Sequence, residues 1–261
     1  MKPAVTTEHV QTGFEDGILT LRFNRPEKKN ALTLAMYTAL VEALKWANEK
    51  DAVRVVLLTG GDGCFTSGND LVDFMNSPPL GDESPVMQFL IAISQTKKPI
   101  VAAVSGATVG VGATMLLHCD LVYAGTSALF QMPFVNLGLC PEAGSTLLLP
   151  RMMGHQRAAE LLLLGEPFSA ETAREVGIVS VVCPNGELLE TAGRKARQLA
   201  AQPAAAVRAA KALMKQDYAF HLQQAIREEG ALFLERLKSP EATEGIRAFL
   251  ERRRADFSQF S

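Results

Sequence analysis

Two short, predominantly apolar and β-branched runs, Val53 to Leu58 and Ile100 to Val104, constrain this chain more than anything else in it. A run with almost no polar alternation reads as a strand covered on both faces, the kind that parallel sheets use. Helical patterns lie between and around these runs. From an N-cap at Thr33, apolar Met36, Leu40, Leu44 and Ala47 recur at helical spacing to about Lys50, and a second helical pattern covers Pro85 to Thr96. Strand and helix in alternation favour right-handed crossovers and a mainly parallel sheet, hence an α/β fold.

The flanking segments fit that frame. Ile18 to Phe23 alternates, with Leu19, Leu21 and Phe23 on one face and Thr20 and Arg22 on the other, until Arg25-Pro26 ends it. Asp120 to Ala124 and Leu129 to Met132 read as further strands, and the Pro- and Gly-rich stretch Asn76 to Ser84 as a mobile loop. From His155 the chain turns mostly helical: His155 to Leu164, Ser169 to Val176 with Gly177 as C-cap, Glu187 to Ala201, Pro203 to Gln216, Phe220 to Lys238 and Pro240 to Asp256, interrupted by a strand over Ile178 to Val182.

Composition narrows the function classes. Hydrophobic residues at 48% and charged residues at 21% describe a folded globular chain. A net charge of -2 supplies no basic field for nucleic acid, and the run Arg252 to Arg254 reads as helix C-terminal cations. No apolar segment is long enough to span a membrane. The opening MKPAVTTEHVQTG lacks a secretory pattern, and the closing Ser258 to Ser261 lacks the Ser-Lys-Leu address, so a cytoplasmic location is expected. Cys64, Cys119, Cys140 and Cys183 lie far apart without metal-ligand spacing, so reduced cysteines and no metal are expected.

Two glycine-containing turns follow predicted strands: Phe65-Thr66-Ser67-Gly68-Asn69-Asp70 and Gly110-Val111-Gly112-Ala113. The second opens a helix, where free N–H groups favour negative charge. Their glycine spacing fits neither a dinucleotide fingerprint nor a Walker loop. Two such turns aimed at one point would form an oxyanion hole.

These turns, with Asn24-Arg25-Pro26, Asn30-Ala31-Leu32, the block from Lys98-Pro99 through Gly154, and Glu244-Gly245-Ile246, resemble the crotonase superfamily in order and spacing. The likeness covers roughly residues 10 to 257. It implies a spiral of ββα units over residues 1–200, a helical region 201–261 that builds a homotrimer or hexamer, and acyl-CoA thioester substrates whose coenzyme A is the only cofactor-like group. Carried over residue by residue, the backbone N–H groups of Asn69 and Val111, the latter preceded by Gly110, match the family's two oxyanion donors. Ser67, Gly68, Asp70 and Leu71 match the loop beside the CoA adenine and pantetheine arm, and Lys28 the loop that contacts CoA phosphates.

The reaction is read from what is replaced. Where the family's hydratases carry their two glutamates, this chain has Thr114 and Phe134, neither able to transfer a proton near neutral pH. A different carboxylate, Glu142, stands in Leu139-Cys140-Pro141-Glu142-Ala143-Gly144-Ser145, similar to the peroxisomal-type Δ3,Δ2-enoyl-CoA isomerases. Its plain reading is a carboxylate at a helix N-terminus. Its apolar neighbours Phe134, Leu137, Leu139 and Cys140 instead suggest a dry pocket and a raised pKa suited to a base. Asp120 and His118 read as structural. Three functions stay open on the residues alone: the isomerase, another crotonase-type reaction such as hydration, hydrolysis or retro-aldol cleavage, and a non-catalytic acyl-CoA-binding module.

Overall fold

A computed structural model of the chain describes residues 7–61, 63–76 and 81–260. Of the stretch expected as a mobile loop, residues 77–80 lie outside the described residues.

The chain enters on a hairpin. Strand β1 (Val10–Glu15) pairs antiparallel with β2 (Ile18–Phe23), Glu15 opposite Ile18, around Asp16 and Gly17. Both turn residues have positive φ, 51° and 76°, which Asp and Gly tolerate and which matches the twist of the strands. Helix α1 (Leu34–Glu49) follows, capped as expected by Thr33, whose hydroxyl accepts from the Met36 N–H.

Next comes a spiral of strand pairs: β3 (Val55–Thr59) with β4 (Cys64–Thr66), β5 (Ile100–Val104) with β6 (Ala107–Val109), and β7 (Leu121–Gly125) with β8 (Leu129–Gln131). The first strand of each pair enters a six-stranded sheet of order β1-β2-β3-β5-β7-β10, where β10 is Val181–Cys183, parallel except for the opening hairpin. The second enters a four-stranded sheet of order β4-β6-β8-β9, closed by β9 (Phe168–Ser169) running antiparallel. Helices α2 (Leu71–Asn76) and α3 (Pro85–Gln95) connect the first pair to the second. The α/β expectation holds, and the sequence reading omits β1, α2 and the short strands β4, β6 and β9.

Both faces of β3 and β5 are covered, which is why their sequences do not alternate. Val56, Leu58, Ile100, Ala102 and Val104 join one apolar cluster with α1 and α3, whereas Val55, Leu57, Val101 and Ala103 pack against Leu188, Ala192 and Ala196 of α8 (Leu188–Ala200). The helix that the second glycine turn opens, α4, is short: it covers Val111–Thr114 and tightens into a 3-10 turn at Met115–His118. Strand β10 (Val181–Cys183) starts three residues later than expected.

The remaining helices are α5 (Ser145–Met153), α6 (His155–Ala159), α7 (Ala170–Glu175), α9 (Ala204–Gln216), α10 (Ala219–Leu237) and α11 (Pro240–Leu250). Helix α11 ends six residues before the expected Asp256. The arginines beyond it cap it through their backbones, with Arg252 left-handed at φ 55° and the Arg252 and Arg253 N–H groups donating to the Phe249 and Ala248 carbonyls, while the Arg253 side chain binds Glu244 and Glu251. Helix α10 buries Leu222, Ile226 and Phe233 in the same cluster as the sheet, placing it across α3 and α5, and leaves Phe220 exposed. Among the described residues no helix is long and apolar enough to cross a membrane.

Candidate active site

The loop 67–70 is built from behind by Asn30. Its side chain accepts from the Arg25 N–H and donates to the carbonyls of Cys64 and Phe65, with Asn30 itself at φ 54° and buried. One asparagine thus satisfies three backbone groups, which accounts for the residue at that position. Thr66 adds a second tie, donating to the Asn30 carbonyl at 2.7 Å and accepting from the Gly68 N–H at 3.1 Å.

These ties fix the direction of the Asn69 N–H. Leu32 forms a parallel bridge with Asn69, donating to the Gly68 carbonyl at 2.8 Å and accepting from the Asp70 N–H at 2.9 Å. In extended backbone, residues that bond through 68 and 70 turn the peptide of 69 the other way. The Asn69 N–H has no acceptor among the described residues. Val111 is the first residue of α4, where an N–H has no intrahelical partner, and it too has no acceptor among them.

Glycine brings the two donors together. A Cβ on Gly68, at φ 90°, would lie 2.9 Å from the Val109 carbonyl oxygen and 3.9 Å from the Gly110 Cα, so only glycine lets loop 67–70 lie against the start of α4. Gly110 takes φ 57° and ψ -123°, a region essentially closed to other residues, and so turns β6 into α4. Asn69 and Val111, the two residues expected to supply oxyanion donors, thus carry N–H groups with no acceptor among the described residues, on loops that touch at Gly68 and Gly110.

Helix α4 also reaches the carboxylate. One turn after Val111, the Thr114 hydroxyl donates to Glu142 Oε1 at 2.6 Å. Glu142 is 4% exposed, its Oε2 has no partner among the described residues, and it lines a cavity with Asn69. That cavity holds about 40 Å³, room for roughly three waters. Burial pushes the Glu142 carboxyl up to about 7; the Thr114 hydrogen bond opposes the shift and the nearby charge of Glu229 adds to it.

The plain reading of Glu142 as a helix N-terminal carboxylate is overturned, because another residue takes that place. Glu229 of α10 accepts from the Gly144 and Thr146 N–H groups at 2.5 and 2.9 Å and from the Thr146 hydroxyl at 2.5 Å. The dryness also has a different source from the one expected. Phe134 and Leu139 are buried but do not line the cavity, whose apolar walls are Phe74, Val86, Met87, Leu90, Phe233 and Leu234 from α2, α3 and α10.

Other candidates fall as follows. Asp70 is held by Arg25 at 2.7 Å and caps α2 through the Val72 and Asp73 N–H groups; burial works to raise its carboxyl, but these donors hold it below the ordinary range. Leu71 opens α2 and is half-buried. Lys28 is exposed, and its carbonyl accepts from the Ser67 hydroxyl at 3.4 Å, which places these two CoA-side candidates next to each other. Asp120 is structural, binding Lys211 and the Ile100 N–H, both at 2.7 Å. His118 bonds the Ala143 carbonyl at 2.8 Å, and burial with the nearby Lys215 drives it down to about 3, so it stays neutral. Among the described residues no cluster of three or more His, Cys, Asp or Glu could hold a metal.

Sequence reasoning missed Glu229 and Tyr37. The Tyr37 hydroxyl donates to the Asn69 side-chain oxygen, and burial together with the Glu142 charge holds its own pKa well above the usual tyrosine value. A buried tyrosine hydroxyl within a helix and a glutamate on the inner face of α10 were the available signals.

Comparison with known proteins places these features in context. The family model described as enoyl-CoA hydratase/isomerase matches residues 13–260. The 1,2-epoxyphenylacetyl-CoA isomerase of Escherichia coli K12 is 37% identical, with 96% of this chain and 98% of that protein covered. Human enoyl-CoA delta isomerase 2 is 33% identical over 95% of this chain and 66% of its own length. The solved structure of Pseudomonas aeruginosa OdaA is 50% identical, superposes with a TM-score of 0.92, and covers 94% of this chain and 100% of that one. Proteins named hydratases stand among the relatives at similar identity.

Proposed function

The chain belongs to the enoyl-CoA hydratase/isomerase family, whose members act on acyl-CoA thioesters, and within it we propose a Δ3,Δ2-enoyl-CoA isomerase in which Glu142 is the only proton carrier. The observation that carries this reading is Glu142 itself: a buried carboxylate, poised near neutrality at about 7, in one cavity with the Asn69 loop. A carboxyl with that pKa is about half ionised at pH 7, able both to take a proton and to return it.

In the proposed reaction Glu142 removes a proton from C2 of a 3-enoyl-CoA. The electron pair of that C–H bond forms the C1=C2 bond of a dienolate, and the thioester oxygen becomes the anion that the Asn69 and Val111 N–H groups receive. Glu142 then delivers the proton to C4; the C3=C4 bond is lost, C2=C3 forms, and the thioester carbonyl is restored. No water is consumed and no cofactor is needed beyond the CoA of the substrate. Ser67, Gly68, Asp70 and Leu71, with Lys28 beside Ser67, are the proposed CoA-side contacts.

Hydration by the two-carboxylate route is disfavoured on the same grounds. Thr114 serves as a donor to Glu142, and Phe134 is buried outside the cavity. For the assembly, exposed Leu213, Met214 and Phe220 on α9 and α10 and Phe249 and Leu250 on α11 support a trimer or dimer of trimers built by residues 201–261. The deciding experiment offers the purified protein 3-enoyl-CoA and 2-enoyl-CoA thioesters of several chain lengths and identifies the products. Conversion of the 3-enoyl to the 2-enoyl thioester with little 3-hydroxyacyl-CoA is expected; fast hydration would reject the reading.

A further inference from the structure

Glu142 sits three residues before a helix, yet its carboxylate turns away from the helix end. The chain between makes a tight turn, with the Ser145 N–H on the Glu142 carbonyl at 3.2 Å and with Ala143 and Gly144 both left-handed at φ 65° and 71°. Such a turn aims two N–H groups, those of Gly144 and Thr146, outward at the positive end of α5, where a nearby carboxylate would ordinarily settle. Glu229 occupies that end. It comes from another helix, is 7% exposed, and takes all three of its side-chain hydrogen bonds from α5: the Gly144 N–H, the Thr146 N–H and the Thr146 hydroxyl.

We propose that Glu229 is the positioning residue of the site: by capping α5 from α10 it leaves the Glu142 carboxylate free to face the substrate and keeps a second negative charge behind it. The inference rests on the reading of Glu142 as the base. Three donors and no acceptor surround Glu229, so its surroundings complete the ionised form, although burial pushes its pKa above the ordinary glutamate value. Three effects then act on Glu142 in one direction. The cap neutralises the helix end that would otherwise stabilise a carboxylate, it denies Glu142 those N–H partners, and its charge repels a second anion.

The groups facing Glu142 from other elements are the Thr114 hydroxyl from α4, which favours its ionised form, Tyr37 from α1, held neutral, and Glu229 from α10; Cys140, on its own segment, has its thiol pushed up to about 11 by burial first and by Glu229 second. Of these, Glu229 alone brings charge at neutral pH. Helix α10 therefore closes the cavity with Phe233 and Leu234 and, through Glu229, also sets the state of the base.

The test reads Glu142 directly. Protein labelled with ¹³C at the glutamate carboxyl is titrated by NMR, the Glu142 signal being the one that disappears in Glu142→Gln. In Glu229→Gln its midpoint falls by about one unit, and the acid limb of kcat/KM for 3-enoyl-CoA isomerisation falls with it, while kcat drops more than KM rises. An unmoved midpoint in a folded Glu229→Gln protein overturns the proposal. A midpoint that moves without the kinetic limb upholds the positioning role and rejects Glu142 as the base. Should Glu229→Gln not fold, Thr146→Val decides: it removes one donor to ionised Glu229, so the Glu142 midpoint moves down by less, and no movement overturns the proposal.

Discussion

Replacing Thr114 with valine removes one hydroxyl from a buried site and nearly nothing else, since the two side chains match in shape. The lost interaction is the 2.6 Å donation to Glu142 Oε1, the one side-chain hydrogen bond that this carboxylate accepts among the described residues. Hydrogen bonds to charged groups contribute roughly 1.5–3 kcal/mol. At about 1.4 kcal/mol per pKa unit, the Glu142 carboxyl should rise by about 1–2 units from its value of about 7. The base acts only when ionised. At pH 7 its ionised fraction would fall from about one half to between roughly one tenth and one hundredth, so the rate falls about 5- to 50-fold. At pH 9 and above most of that loss should be recovered, because the ionised form itself is intact. A pH profile of kcat/KM on 3-enoyl-CoA measures the shift. An acid limb that stays in place, or moves to lower pH, would refute this account of how the base is tuned.

Further consequences concern the same residues and the assembly. A buried acid whose pKa is raised from 4.5 to about 7 binds its proton more tightly in the folded state, so stability falls as pH rises from about 4.5 to 7 and stays reduced above it. Glu142→Gln should therefore stabilise the fold at pH 8 by up to roughly 3 kcal/mol, and thermal melts of both proteins at pH 5 and pH 8 should converge at the lower pH. Gly112→Val would place a Cβ 2.5 Å from Thr66 Cγ2 and 3.1 Å from the Thr66 carbonyl oxygen, displacing the residue that anchors the Gly68 N–H; loss of one oxyanion donor predicts a fall in kcat of about 10²- to 10³-fold, and full activity would mean the donor loop is misplaced. Light scattering should return three or six times the chain mass of 28.2 kDa at micromolar concentration, and a monomeric mass would reject the proposed assembly.

What the sequence reveals depends on how local the cause is. Thr33 caps α1 because its partner is three residues away, and the apolar runs of β3 and β5 signal burial on both faces by composition alone. Asp16-Gly17 between two strand-like segments is a strong two-residue hairpin signal, but the alternation of Val10 to Glu15 before it is too weak to mark β1 on its own. The small sheet was legible only at β8: β4, β6 and β9 have two or three residues each, too few to show a period, and β4 and β6 fall in or beside glycine-containing turns. In the site, Glu142 stood out by where it replaces and is replaced, whereas its environment is non-local. The apolar wall comes from α2, α3 and α10, and the cap from Glu229, more than eighty positions along the chain. No spacing rule links those residues before the fold brings them together.

The central claim is that one carboxylate carries the proton from C2 to C4. Glu142→Gln keeps the side-chain volume and the Thr114 contact but cannot accept a proton, and neither proposed oxyanion donor nor the CoA-side loop includes it. Single-turnover conversion of 3-enoyl-CoA to 2-enoyl-CoA, measured together with thioester binding, should fall by at least about 10³-fold while affinity stays within a few fold. Isomerisation by the Gln variant at a rate near that of the unmodified protein would contradict the account.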